Sequence, residues 1–369
     1  MSAARGSDQP EIPTLGVEEE LLLVDPATGQ PAPQAPAVLA HAPHAEHELR
    51  REQVEAGTQP QQVLADLRRS LVDNRRALSE AARSRDLAVA ATGAAWVSPE
   101  RARLTDEDRY LRMAETFGPV ALRQLVDGCH VHVGMENRAA AIEVLNRVRP
   151  WLAVLLALSA NSPFWKGEDT GYASYRHEVW SRWPTAGTAG PFTDVADYQA
   201  TIDLLIRSGA AVDAGMVYFH VRPSAQWPTV EFRITDVCLT VDEAVATAAL
   251  SRALAVTALT EAANGQPITD VRSPVLRAAQ WRAARYGLDG ALVSIEQQGV
   301  LRPAAAVVGE LLEHVGPALA AAGDAEEVHR IVDSVLTDGN GAHRQRRAYR
   351  RRERLEDVVA LLIEETAAT

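Results

Sequence analysis

Five short stretches of this chain alternate apolar residues with glutamate, histidine or arginine, and that pattern restricts the fold more than any other feature. They are "GVEEELLLVD" (16–25), "QVEAG" (53–57), "CHVHVG" (129–134), "VYFHVRP" (217–223) and "TVEFRIT" (229–235). Side chains on a strand point alternately to its two faces. Glu18 and Glu20 therefore share a face, and Glu19 lies on the other with Val17, Leu21 and Leu23. His130 and His132 stand opposite Cys129, Val131 and Val133. Glu231 and Arg233 stand opposite Val230, Phe232 and Ile234, and Tyr218, His220 and Arg222 opposite Phe219 and Val221. Glu55 sits between Val54 and Ala56. An ordinary half-exposed sheet carries Thr, Ser, Lys and mixed polar residues outward. Here the polar face carries Glu, His and Arg, while the apolar face needs cover. The fold class that meets both demands is α+β, an antiparallel sheet with helices on its outer face. On this reading Glu19 points away from the polar face and tolerates replacement, whereas His220 faces it.

Converging carboxylates and imidazoles can hold divalent metal ions. Arginines beside them can clamp phosphate or carboxylate in bidentate fashion. Metal, phosphate and carboxylate together point to phosphoryl transfer to or from a carboxyl group. Composition removes several alternatives. The 37 basic residues include one lysine, Lys166, in "FWKGED". A Walker A loop and the kinase "VAIK" lysine are therefore absent, and lysine Schiff-base chemistry is disfavoured. The net charge of -12 disfavours a nucleic-acid surface. Cys129 and Cys238 are too few for a disulfide scaffold and suit a reducing cytosol. Cys129 points away from the polar face, which excludes a catalytic thiol there. "MSAARGSDQPEIP" has no apolar core of a signal peptide, and the run "WLAVLLALSA" is too short to span a bilayer. The expectation is a cytoplasmic protein with neither membrane nor nucleic-acid partner.

Periodicity predicts helices within 61–86, at 106–116, 119–126 and 138–160 with a break at Pro150, then 194–208, 241–264, 273–285, 303–321, 324–337 and 353–366. The aromatic stretch Asn161–Phe192 reads as a long functional loop. "DGNGAHRQRRAYRR" (338–351) reads as a Gly-rich, then basic, connection. "HAPHAEH" (41–47) suits a solvated loop better than a metal cluster. Residues 1–12 are expected to be disordered and 13–366 to form one domain.

The stretches "TLGVEEELLLVD", "CHVHVG", "LSANSPFWKGEDTGYASYR", "RPS" with "TVEFRITD", "RAARYGLDG" and "GAHRQR" resemble, in order, the motifs of the type-two glutamate–cysteine ligases, also called carboxylate–amine ligases. The likeness runs from Thr14 to Arg347. It implies a glutamine synthetase-like fold, a curved antiparallel sheet whose concave face is the active site and whose helices pack outside. It implies an ATP-dependent ligase in which a carboxylate, often that of glutamate, is phosphorylated and the acyl phosphate is attacked by an amine. Two or three Mg²⁺ or Mn²⁺ ions and a homodimer come with it. By the same likeness Glu18, Glu20, Glu55, His130 and Glu231 are metal ligands, with Glu48 a further candidate. Arg222, Arg233 and Arg176 are catalytic; His132, Arg233, Arg344 and Arg346 contact the nucleotide. The chain departs from the family at His220, where Asp is usual, and at Cys129, where Thr is frequent. The alternatives are a guanidino or carboxylate kinase on the same fold, or a non-catalytic nucleotide-binding relative.

Overall fold

The computed structural model describes residues 12–97 and 103–368. Apart from Ile12, the tail expected to be disordered lies outside the described residues. The strands in chain order are β1 (Leu15–Asp25), β2 (Gln30–Pro31), β3 (Ala45–His47), β4 (Gln53–Gly57), β5 (Ala88–Ala90) and β6 (Cys129–Gly134). The ribbon β7 (Phe164–Trp165) and β8 (Glu168–Asp169) follows, then β9 (Val221–Pro223), β10 (Thr229–Phe232) and a second ribbon, β11 (Ala291–Ser294) with β12 (Val300–Pro303). The main sheet runs β3-β4-β1-β6-β10-β9, and every pairing in it is antiparallel; β2 and β5 also pair with the long β1.

The helices are α1 (Ala35–Leu39), α2 (Leu64–Arg83), α3 (Asp108–Phe117), α4 (Pro119–Leu122), α5 (Arg138–Val148), α6 (Leu152–Ser159) and α7 (Tyr175–Trp180). They continue with α8 (Val195–Arg207), α9 (Val241–Ala263), α10 (Ser273–Tyr286), α11 (Ala304–Ala322), α12 (Ala325–Asp338), α13 (Gly341–Tyr349) and α14 (Leu355–Ala367). Leu64, Leu67, Leu71 and Leu78 are buried on α2 at helical spacing, the stripe that turns a helix toward a core. A capping box of Thr240 and Glu243 starts α9, which is buried along most of its length. Val17, Val131, Val133, Val230 and Phe232, the apolar face of the sheet, share one core with residues of α2, α5 and α9. Pro150 lacks a backbone N–H, and a 3₁₀ turn at Arg149–Trp151 duly separates α5 from α6. Within α11, which by length and composition could cross a membrane, Val307, Val308, Leu311, Val315 and Leu319 belong to that same core.

Structure replaces loop in two places and adds a ribbon in a third that carried no assignment. Residues 161–192 contain α7 and the β7–β8 ribbon; α7 is too short to show a period and starts from a Ser174 cap. The ribbon β11–β12 precedes α11. The segment 338–351 holds α13, which starts where the Asn340 side chain accepts from His343 N at 3.1 Å. Glu19 also differs from expectation. It faces the helices as alternation requires, but it is 1% exposed and is gripped by fully buried Arg75 of α2. Arg75 donates Nε to Glu19 Oε2 at 2.9 Å and Nη2 to Oε1 at 2.6 Å. A carboxylate in this position is not freely replaceable.

Candidate active site

The ladder register assembles the polar face. Glu18 lies opposite His130, Glu20 opposite Glu55, and Glu231 opposite His132 on one side and Arg222 on the other. Directly opposed residues in antiparallel strands have Cβ atoms about 4.5–5.5 Å apart, so their polar ends can meet. They meet in a cavity of about 480 Å³ whose floor includes Glu18, Glu20, Glu55, His132, Glu231 and Arg233. Its wall includes Arg109, Tyr110, Trp180, Tyr218 and the hairpin turn Ser224–Trp227.

Two groups of three could each hold a metal ion. Glu18, His132 and Glu231 form one; Glu20, Glu48 and Glu55 form the other; within each, one ligand atom per residue lies within 4.8 Å of the others. Five carboxylates and one imidazole make a donor set for hard divalent cations. His132 Nδ1 is engaged by Thr229 Oγ1 at 2.9 Å. Its Nε2 lies 3.2 Å from Glu18 Oε1 and 4.0 Å from Glu231 Oε1, buried and without a hydrogen-bond partner among the described residues. A ring nitrogen fixed at one side and open at the other is the arrangement a metal-binding histidine needs. Glu231 is held from two sides. Arg222 Nε donates to Oε2 at 2.7 Å, and Arg233 Nη1 donates to Oε1. The Arg233 guanidinium also lies 6.0 Å from the Trp180 ring centre and 5.9 Å from that of Tyr218.

The carboxylates divide by surroundings. Burial pushes Glu20, Glu48 and Glu55 above the usual carboxylate range, and in Glu20 and Glu55 the neighbouring acids push further. Burial acts the same way on Glu18, but the adjacent imidazoles of His130 and His132 outweigh it and hold Glu18 low. Glu231 is also held low, because the charges of Arg233 and Arg222 overcome its burial. Burial and the Arg233 charge lower His130 to about 4. Burial opposes protonation of His132 as well, but Glu18 raises it.

Several expected site residues are placed differently. His132, rather than His130, reaches the Glu18–Glu231 group. His130 lies under the floor, 3.7 Å from Glu18 Oε2 and 3.7 Å from Glu20 Oε1. Arg176 is buried behind the strand end and donates to the carbonyls of Ile234 and Arg233, so it supports Arg233 from behind and does not line the cavity. Arg344 pairs with Glu243 at 3.2 Å and Glu365 at 2.5 Å, and Arg346 with Asp169 at 2.7 Å; neither lines the cavity. The motif around them packs tightly against Asn161. A Cβ on Gly341 would lie 2.1 Å from Asn161 Oδ1, and Gln345 Nε2 donates to that oxygen at 2.7 Å. His220 precedes the ladder and does not line the cavity; it is buried against His177, ring centres 5.3 Å apart. Arg109, Tyr110 and Asp213 were not foreseen, since no local pattern marks a contact made across the fold.

The description "Glutamate-cysteine ligase family 2" belongs to a family model that matches residues 14–361. A Frankia alni protein provisionally named glutamate–cysteine ligase 2-2 is 49% identical over 372 residues, covering 96% of this chain and 97% of its own. A Mycolicibacterium smegmatis protein provisionally named glutamate–cysteine ligase 2-3 is 42% identical over 360 residues, covering 96% of this chain and 99% of its own. Among solved structures, a glutamate–cysteine ligase from Francisella tularensis in complex with AMP has a TM-score of 0.71 at 13% identity, covering 98% of this chain and 90% of that one. A bifunctional glutathione synthetase from Pasteurella multocida has a TM-score of 0.66 at 16% identity, over 96% of this chain and 52% of that one. These two structures share the fold.

Proposed function

Because the chain belongs to glutamate–cysteine ligase family 2, we propose that the cavity on the polar face of its sheet is where an ATP-dependent carboxylate–amine ligase forms its amide bond. One observation carries the assignment of the site: two carboxylate-rich groups stand side by side on one face, with Arg222 and Arg233 beside the second carboxylate of one group. The donor set fits Mg²⁺ or Mn²⁺, held by Glu18, His132 and Glu231 and by Glu20, Glu48 and Glu55. Such ions supply charge neutralisation between ATP phosphates and an approaching carboxylate. Arg222 and Arg233 offer N–H donors to the same anions, already oriented by Glu231, so little reorganisation accompanies the reaction. Trp180 and Tyr218 exclude water beside Arg233, which strengthens its field. His132 must shed its proton to serve as a ligand. Glutamate is the carboxylate we assign, with a small amine as second substrate. Residues 13–366 act as one unit, in the cytosol and as a homodimer.

A coupled ADP-release screen over carboxylates and amines tests this. ADP should appear when both are supplied, and hydroxylamine should replace the amine and trap the acyl phosphate as a hydroxamate. ADP formed from a carboxylate or guanidine alone, with a stable phosphorylated product, would make the chain a phosphotransferase. Silence across the panel would remove the ligase reading.

Proton linkage gives a second test. Glu20, Glu48 and Glu55 bind protons more tightly in the folded protein than their ordinary value of 4.5 allows. Their contribution to stability is therefore present at low pH and is lost as pH rises through the raised values. A metal ion enters as those protons leave. Mg²⁺ should raise the melting temperature progressively more as pH climbs away from the ordinary carboxylate value of 4.5. A shift that does not change with pH across the whole range would remove this group from the metal assignment.

A further inference from the structure

We propose that Arg109 and Asp213, which lie outside every motif discussed above, are positioning residues that set Arg222 in the cleft. The proposal rests on the ligase reading of that cleft. The segment leading into α3 starts from one rim of the sheet. Leu104 forms a β-bridge with Arg50, Thr105 N donates to Leu49 O at 3.1 Å, and Thr105 Oγ1 donates to Glu48 O at 2.5 Å. From the first turn of α3 Arg109 reaches the opposite rim. Its Nε donates to Asp213 Oδ2 at 3.0 Å and its Nη2 to Oδ1 at 3.4 Å. Asp213 in turn caps the 3₁₀ turn Ala214–Met216, accepting from Met216 N at 3.1 Å.

That turn is what holds Arg222. Arg222 Nη1 donates to Gly215 O at 2.9 Å and to Val217 O at 2.7 Å, which leaves Nε to meet Glu231. A chain of contacts therefore runs from Arg109 through Asp213 and the capped turn to Arg222 and Glu231. Asp213 is braced at one end and orients a guanidinium at the other. The two side chains are 36% and 39% exposed, and ion pairs as open as this contribute little to global stability. Their loss should leave the fold standing while letting the turn, and Arg222 with it, drift. Small misplacements near reacting groups can cost up to about a hundredfold in rate.

The test is a double-mutant cycle on the full chain, read as kcat/KM for ligation with thermal melts as the folding control. Asp213→Ala should lower kcat/KM about tenfold and leave the amine KM unchanged. Asp213→Asn keeps a capping side chain without the charge and should fall between it and the unaltered protein, and it serves if the alanine variant does not fold. Arg222→Lys should lower kcat/KM about a hundredfold. Combining Asp213→Ala with Arg222→Lys should still cost about a hundredfold, because the first change acts through the residue the second removes. A combined loss near a thousandfold would show independent action, such as direct substrate contact, and would overturn the proposal. Asp213→Ala at full activity, with Arg222→Lys impaired, would overturn it while sparing the ligase site. Arg222→Lys at full activity would instead remove Arg222 from the ligase reading, and the proposal with it.

Discussion

Glu19→Gln should destabilise the protein by about 3–5 kcal/mol, although Glu19 touches nothing in the cavity. The carboxylate is 1% exposed and forms both arms of a fork with Arg75, which is itself fully buried. Glutamine has nearly the same shape and can accept one of the two hydrogen bonds, but it carries no charge. Arg75 would still donate to the carbonyls of Leu239 and Cys238, and those neutral acceptors do not balance a buried cation. In the native protein burial works against the Arg75 charge and Glu19 raises its hold on the proton. For a chain of this size the loss corresponds to a fall in melting temperature of about 5 °C, with an earlier urea midpoint at unchanged slope. Replacing both partners, Glu19→Leu with Arg75→Met, should recover only part of the loss: it removes the unbalanced charge but leaves the buried Leu239 and Cys238 carbonyls without the donors Arg75 supplied. A Glu19→Gln protein that melts with the parent would show that water reaches Arg75.

Three adjacent glutamates thus have three different surroundings, and only part of that was legible in advance. Alternation places Glu18 and Glu20 on the polar face and Glu19 behind, because a strand's side-chain period is two and the ladders keep their register. The same argument brings Glu55, His132, Arg222, Glu231 and Arg233 to one cavity. Alternation does not reveal depth. His130 and His132 share a face, yet His130 lies under the floor while His132 Nε2 opens toward Glu18 and Glu231. Nor does it reveal partners remote in sequence. Arg75 lies on a helix 56 residues from Glu19, and Asp213 lies 104 residues from Arg109. Likeness of motif brought Arg344 and Arg346 to the nucleotide, whereas the structure pairs them with Glu243, Glu365 and Asp169 outside the cavity, next to the tight approach of Gly341 to Asn161. His220 was misread because the alternating ladder starts only at Val221.

Removing one carboxylate from either three-residue group should cut turnover about a thousandfold, and the two groups should fail separately. Glu18→Gln and Glu231→Gln each take a charge from the group that contains His132; Glu20→Gln and Glu48→Gln each take one from the group that contains Glu55. An amide oxygen can still occupy the position but brings no charge to a hard cation. Calorimetry with Mn²⁺ should lose one bound ion in each variant and keep the other. Adding a second substitution within the same group should cost little more, while pairing substitutions across groups should abolish binding. Glu231→Gln carries an additional signature. It also releases Arg222 and Arg233, which grip that carboxylate at its two oxygens, so its defect should exceed that of Glu18→Gln even at saturating Mn²⁺. If every variant lost both ions together, the two groups would be one site, and the separation drawn between Glu18 and Glu20 would not stand.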